Sequence, residues 1–221
     1  MSDTVVGIHT IGQTPRPDLM EDLTGLLGLS RFEMRGALDD LTRDQIPACG
    51  PGGYPLETRL RDGTPVVADA AFLEPHLQDV IADLDGRVSA HLVLCAGSFP
   101  SLTARKPLIQ PVEVAVAELS ARGLESLEVM VPFGAQAVPS ARKWEAAGFS
   151  CRIHVFGESG GNPFTPWLAD RLAKTSADAL VFDYVGFSAV ILERVGAEID
   201  IPVFALGRLA IDALERTLQT L

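Results

Sequence analysis

Residues His91–Pro100 read HLVLCAGSFP, and the parsing of this stretch decides the fold. His91 to Leu94 is a short apolar run with the length of a buried strand. Cys95 comes next, and then the small residues Ala96 and Gly97. A run that breaks into small residues in this way is the carboxyl end of a strand in an α/β sheet, the edge where such sheets bind ligands. Leu180–Gly186, LVFDYVG, has the same form. Two such strand ends in one chain point to two similar lobes.

Outward from Cys95, strand-like and helix-like segments alternate. Towards the amino terminus, TVVGIHTI (4–11) is a β-branched strand broken by GQTPRPD. Residues 19–28 have helical spacing, with Asp18 as cap and Gly28 as stop. Residues 31–38 form a weaker strand. Residues 54–69 form a hairpin, because Asp62-Gly63 is a strong turn signal between two extended runs. Residues 70–86 form a helix with Leu73, Leu77, Val80, Ile81 and Leu84 on one face, and Pro75 is tolerable only in its first turn.

Towards the carboxyl terminus, helices are expected at 108–123, 137–148, 164–177, 188–198 and 207–218. Strands are expected at 126–132, 150–159, 178–186 and 201–206. Gly123 and Gly148 stop two of the helices. The expected fold class is α/β, with mainly parallel sheets flanked by helices.

The bulk properties narrow the function. The chain has 221 residues, 47% hydrophobic and 21% charged, an ordinary balance for a soluble protein with a real core. A net charge of −11 and the lack of any basic patch argue against a nucleic-acid partner. No apolar run of the ~18 residues that reads as a membrane span is present, so no membrane partner is expected. The start, MSDTVVGIHTIG, does not read as a signal peptide, and a cytoplasmic location is the default. Cys49, Cys95 and Cys151 are odd in number and widely spaced, which supports neither a disulfide framework nor a zinc site. No histidine has a partner four residues on, so no metal is expected. The glycines match neither nucleotide fingerprint, GESGGN (157–162) included, and no cofactor is expected.

The expected strand ends gather the candidate site residues. The first supplies Thr10, Gln13, Thr14 and Arg16, where a proline on each side of Arg16 restrains a turn suited to an anion. The central strand supplies Cys95, Ala96, Gly97 and Ser98. The next supplies Pro132, with Gln136 one helical turn on. The late strand supplies Asp183, Tyr184 and Gly186. In CAGS, a thiolate would stand beside backbone N–H groups and a hydroxyl able to hold a carboxylate or enolate oxygen. The same cysteine also fits a core strand as a small apolar residue. Asp183 and Tyr184 are equally open: one could cap a turn, the other could be core.

TIGQTPRPD (10–18), LCAGSFPSLTAR (94–105) and VFDYVGF (181–187) together resemble the AroM family, in order and spacing along nearly the whole chain. At fold level that family is similar to the aspartate/glutamate racemase superfamily. The resemblance implies two pseudo-symmetric lobes, 1–109 with 205–221 and 110–204, and an active-site cleft between them. Racemases of that group use one cysteine from each lobe, without cofactor or metal. Related isomerases and decarboxylases use one. Cys95 matches the first-lobe cysteine, and the second position falls on Tyr184. A phenol with a pKa of ~10 is a poorer base than a thiol near ~8.5, which weighs against symmetric two-thiol racemisation. The resemblance therefore implies a cofactor-independent isomerase or lyase acting on a small carboxylate through one cysteine, with isomerisation, racemisation or decarboxylation as its chemistry. The catalytic candidates are Cys95, Tyr184 and Asp183. The alternative is a non-catalytic small-carboxylate binding or regulatory protein linked to aromatic amino-acid metabolism. A homodimer is an open expectation.

Overall fold

Val6–Thr10 (β1) is buried at every position, as a strand must be when it has neighbours on both sides and layers over both faces. In this computed structural model, which describes residues 5–17, 19, 31–156, 170, 172–186 and 189–221, β1 lies inside a parallel sheet. Its neighbours are β2 (Phe32–Gly36) and, beyond the hairpin β3 (Pro55–Arg59) and β4 (Pro65–Asp69), β5 (Ala90–Leu94). β6 (Leu108–Ile109) adds to the far side of β5, giving the order β2-β1-β5-β6.

A second parallel sheet repeats the plan. β7 (Ser126–Val131) is interior, β8 (Ser150–Val155) lies on one side of it and β9 (Ala179–Phe182) on the other. β10 (Val203–Ala205) continues beyond β9. In each sheet the second strand is laid on one side of the first, and the third crosses to the other side. The chain divides into two compact units, Met1–Pro111 with Ala210–Leu221, and Val112–Leu209. The sheets are parallel and flanked by helices, as expected.

α1 (Ala70–Leu84) continues from β4 without a loop. The Asp69 side chain accepts from the Ala71 amide at 3.0 Å, a cap worth about 1 kcal/mol. Leu73, Leu77, Ile81 and Leu84 are fully buried, and Val80 sits half-buried at the margin of that face. The first unit's core joins Leu73, Leu77 and Ile81 to Ile11, Leu38, Leu56, Val66, Ala68 and Val93. Burying a side chain of this size contributes about 1.5–3 kcal/mol. In the second unit, Met130, Leu180 and Phe182 pack with Leu172, Val195 and Ile199.

Two expectations need correction. The helix read from 108 begins at Pro111 (α2, Pro111–Ala121), because Leu108 and Ile109 pair with His91 and Leu92 as an edge strand. The residue before a proline avoids helical backbone, and Pro111 itself suits a first helical position. Pro75 lies in the second turn of α1, not the first. It removes one helical hydrogen bond, and its ring is exposed while Leu73 and Leu77 hold the helix down.

α2 and α3 (Ala137–Ala146) both stop as expected. Gly123 and Gly148 have φ of 69° and 96°, and the next residue donates to the carbonyl five back, Leu119 and Trp144 respectively. The Asp62-Gly63 turn closes through Leu60 and Thr64 at 2.8 Å. All but Leu19 of the helix expected at 19–28, the whole of the GESGGN loop (157–162) and most of the helix expected at 164–177 lie outside the described residues. Among the described residues no helix is long and apolar enough to cross a membrane.

Candidate functional site

The first unit's switch point falls between β1 and β5, since the chain leaves β1 for β2 on one side and returns as β5 on the other. Ligands of open α/β sheets bind at such a reversal, off the carboxyl ends of the strands. The last ladder pair there is Thr10 with Leu94, so Ile11 and Cys95 leave the sheet side by side. The segments leaving these two strand ends therefore define the site.

After β1 the chain forms a braced loop. Thr10 is buried, and its hydroxyl accepts from the Gly12 amide at 3.3 Å. The Arg16 guanidinium, 9% exposed, lies 3.5 Å from the Thr10 hydroxyl and 3.4 Å from that of Thr58 on β3. A positive charge is thus held low against the end of β1. Gln13 and Thr14 serve this loop in another way than as presented ligands. The Gln13 carboxamide donates to Leu38 O and Leu41 O, at 3.0 and 2.7 Å, and accepts from the Arg61 amide at 2.9 Å. Thr14 gives its amide and hydroxyl to the two oxygens of Asp39, at 2.5 and 2.8 Å. Asp39 also accepts from the Gly36 amide, and the Arg61 side chain donates to Thr14 O at 2.7 Å. The Thr14-Pro15 peptide is cis. Thr58, Asp39 and Arg61 were not among the sequence candidates; they lie 25 to 48 residues from their partners, and only the fold brings them there.

After β5, Cys95 is 6% exposed and belongs to the apolar cluster that includes Ile11, Leu56 and Phe99. The Gly97 amide donates to its sulfur at 3.2 Å. The expected use of that amide, as a holder of a ligand oxygen, gives way to a different one: it stands where a thiolate needs a donor. Gly97 has no room for a side chain, because a Cβ there would meet Leu56 Cδ1 at 2.7 Å and Phe99 Cζ at 2.9 Å. Ala96 is half-buried and Ser98 is exposed.

A buried chain of polar groups runs through the same unit. Asp85 accepts from the backbone amides of Arg105 and Lys106 and from the Arg105 side chain. Burial opposes its charge, but these bonds and His91 outweigh burial and hold the carboxyl far below the usual range. His91 Nε2 lies 3.2 Å from Asp85, and His91 Nδ1 lies 2.9 Å from His9 Nε2. A carboxylate only accepts, so His91 donates to Asp85 and accepts from His9. The other His9 nitrogen, Nδ1, is buried without a hydrogen-bond partner. Burial, then the neighbouring His91, lowers the His9 pKa to about 3. His91 is lowered by burial, against the pull of Asp85. The pair faces each other across strands, so spacing along the chain could not have found it.

In the second unit the equivalent switch point lies between β7 and β9. Pro132 comes directly after β7, half-buried, and the buried Gln136 ends a short 3-10 turn leading into α3. Asp183 comes directly after β9 and is 3% exposed. Its carboxylate takes Lys143 Nζ and Ser140 Oγ at 2.6 Å each and Trp144 Nε1 at 3.1 Å. Tyr184 is 39% exposed, with its ring edge-on to Phe156, and Gly186 is exposed. Cys151 is raised by burial first, then by Glu145 and Asp183, and Cys49 by burial, then Asp69. Both are poorly set for nucleophilic work.

The second unit also holds a polar cavity of about 280 Å³ lined by Ser126, Glu128, Ser150, Arg152 and Thr175. It opens at the amino ends of β7 and β8, away from the switch point. Its buried Glu128 is already bonded to Thr175, Arg152 and His154. Among the described residues no group of three or more His, Cys, Asp or Glu side chains is placed to hold a metal ion.

A family model described as AroM protein matches residues 6–218. The chain belongs to the AroM family. None of the curated protein sequences matches it. Among solved structures it is similar to maleate isomerase Iso from Pseudomonas putida S16 with maleate, at 15% identity and a TM-score of 0.61, over 98% of this chain and 93% of that one. It is similar to a Nocardia farcinica maleate cis-trans isomerase mutant with a covalently bound succinylcysteine intermediate, at 15% identity and a TM-score of 0.55, over 97% and 93%. It is similar to glutamate racemase from Francisella tularensis in complex with D-glutamate, at 13% identity and a TM-score of 0.55, over 99% and 82%. At these identities the likeness shows that the AroM chain has the aspartate/glutamate racemase-like fold.

Proposed function

We propose that this AroM protein is a cofactor-independent isomerase of a small carboxylate, acting through the Cys95 thiolate. The observation that carries the reading is the placement of Cys95. It stands at the first unit's switch point, with the Gly97 amide on its sulfur, next to the end of β1 at Thr10, whose hydroxyl the buried Arg16 reaches from the loop. Arg16 supplies the charge for a carboxylate, with Thr10 beside it. Gln13 and Thr14 shape the loop that carries Arg16. Ala96, Gly97 and Ser98 form the turn on which the substrate rests.

Two forms of the chemistry fit one thiol. In the first, the thiolate adds to the C=C bond of an unsaturated diacid. The π pair moves to the carbon next to a carboxylate, rotation occurs about the new single bond, and the C–S bond breaks to return the thiolate. The covalent succinylcysteine named for the Nocardia farcinica isomerase is the adduct this route would pass through once protonated. In the second, the thiolate takes a Cα proton and solvent returns one to the opposite face of the enolate, which racemises an amino acid; in a decarboxylation the C–C bond to the departing carboxylate breaks, carbon dioxide leaves its electron pair in an enolate, and Cys95 as the thiol gives its proton to that carbon and regains one from water.

The 6% exposure of Cys95 in an apolar cluster favours a second reading, a protein that binds a small carboxylate without converting it. Incubation in deuterated water with maleate, D-glutamate and L-aspartate, with mass spectrometry as the readout, separates the two. Deuterium uptake or conversion that disappears in Cys95→Ser supports catalysis. Saturable binding of a probe without either outcome supports the binding protein and overturns the isomerase.

A further inference from the structure

The hairpin β3–β4 is inserted between β2 and β5, and one face of its first strand is turned inward. Leu56, Thr58 and Leu60 are buried on that face, while Glu57 and Arg59 point to solvent. Two leucines are what such a face needs; the hydroxyl between them is not. Valine has the shape of threonine and would fill position 58 at no polar cost, so a buried threonine there calls for a partner. Two loops meet this face. Leu56 belongs with Cys95 to one apolar cluster, and its Cδ1 is the atom that leaves Gly97 least room for a side chain. Thr58, two residues on, meets the loop after β1: a Cβ on Gly12 would collide with Thr58 Oγ1 and with Arg59 O, and the Gln13 amide donates to Arg59 O at 3.0 Å. Same-face neighbours on a strand are ~7 Å apart, so a single strand spans the cysteine turn and the Arg16 loop.

The hydrogen bonds at the Thr58 end show what is still to be accepted there. Arg16 Nη1 lies 3.4 Å from Thr58 Oγ1 and 3.5 Å from Thr10 Oγ1. A guanidinium only donates, so both hydroxyls are acceptors in these contacts. Thr10 also accepts from the Gly12 amide, which occupies its second lone pair. Among the described residues neither hydroxyl hydrogen has an acceptor, although Thr10 is 1% and Thr58 6% exposed. Two buried O–H groups beside one buried positive charge are the donor set for an anionic oxygen. We propose that β3 is a wall of the ligand site, and that Thr58 binds the carboxylate of the ligand together with Thr10, beside the charge of Arg16. Leu56 ties the same strand to the turn that carries the thiol. The inference rests on the proposed function for the identity of the ligand as a carboxylate.

Threonine labelled with carbon-13 at its methyl group reports on both hydroxyls, and Thr58→Ser and Thr10→Ser identify the two resonances by removing them. Addition of maleate, D-glutamate or L-aspartate to the parent protein is expected to shift the Thr58 and Thr10 resonances together. Thr58→Val keeps the shape of the side chain and suits a strand. It is expected to weaken binding of the same probe about tenfold, the usual effect of losing a hydrogen bond to a charged group. Where that probe is turned over, KM rises by the same factor with little change in kcat. Thr58→Ser keeps the hydroxyl and is expected to bind as the parent does. A Thr58 resonance that none of the three probes moves overturns the inference. If Cys95-dependent turnover persists in that case, the proposed function stands without the hairpin; if turnover is also absent, both fall. A shift produced by inorganic phosphate and by none of the carboxylates shows a general anion site and overturns the carboxylate. Affinity that Thr58→Val leaves unchanged overturns the role of the hydroxyl.

Discussion

The turns after β5 and β9 occupy equivalent places in two sheets of the same strand order, yet they are held by opposite means. Cys95 is seated in hydrocarbon, with Leu56 and Phe99 pressed against its glycine neighbour, and one amide reaches its sulfur. Asp183 is seated in charge, and its neighbour Tyr184 faces outward. An apolar seat contributes stability and tolerates small changes of shape. An ionic seat gives one geometry and fails badly when half of it is removed. In the proposed function the apolar seat shelters a reagent, while the ionic seat holds one turn in one geometry.

The sharpest break in this comparison is chemical. Cys95→Ser is expected to lower any isomerase or deuterium-exchange rate by ~100-fold or more, the usual contribution of a positioned acid–base or nucleophilic group, measured at saturating substrate. The second is thermodynamic. Lys143→Met strands the Asp183 carboxylate and is expected to cost about 3–5 kcal/mol, lowering the melting temperature by about 10 °C in a domain of this size. A loss below about 1 kcal/mol would show that the ionic seat is not what holds the turn.

The third prediction uses pH and belongs to the first unit. His9 is held neutral, with its pKa lowered to about 3 from the ordinary histidine value of 6.5. The unfolded chain therefore binds the extra proton first, and folding stability falls as pH drops from about 6.5 towards about 3. The loss is up to roughly 5 kcal/mol, at about 1.4 kcal/mol per pH unit. His91, lowered in the same direction, adds to the slope in that window, and Asp85 and Glu128, whose charged forms are favoured in the fold, add to it only below the ordinary carboxyl range. Urea midpoints measured from pH 7 to 5 should show the slope in the parent protein and a flatter line in His9→Leu. The fourth is steric. Gly97→Ala must displace Leu56 and Phe99 and is expected to cost about 1–3 kcal/mol by denaturant titration. The smallest effect is that of Tyr184→Phe on stability, expected within about 0.5 kcal/mol because the ring is largely at the surface.

Much of this molecule can be read before any coordinates. The alternation of apolar runs with amphipathic runs gives the α/β class, and Asp62-Gly63, Gly123 and Gly148 mark turns through requirements that are local to the backbone. The ends LVLCAG and LVFDYVG do fall at equivalent strand termini. Leu108 and Ile109 escape because two apolar residues before a helix carry no period of their own; they become a strand only by lying against His91 and Leu92. The carboxamide of Gln13 and the hydroxyl of Thr14 look like ligand groups when read along the chain. Their partners, Asp39 and the Arg61 amide, come from other elements, and no spacing rule links them. The His9–His91 pair is hidden for the same reason, since its two members are 82 residues apart.

The central claim, that Cys95 is a reagent facing a carboxylate ligand, is tested most directly by peptide-resolved labelling of the three cysteines with a small thiol reagent at pH 7. The account predicts that Cys95 is modified despite its burial, and that maleate or D-glutamate slows its modification at least tenfold while leaving Cys49 and Cys151 unchanged. Cys95 that labels more slowly than Cys49 and Cys151, at a rate no carboxylate alters, would contradict it.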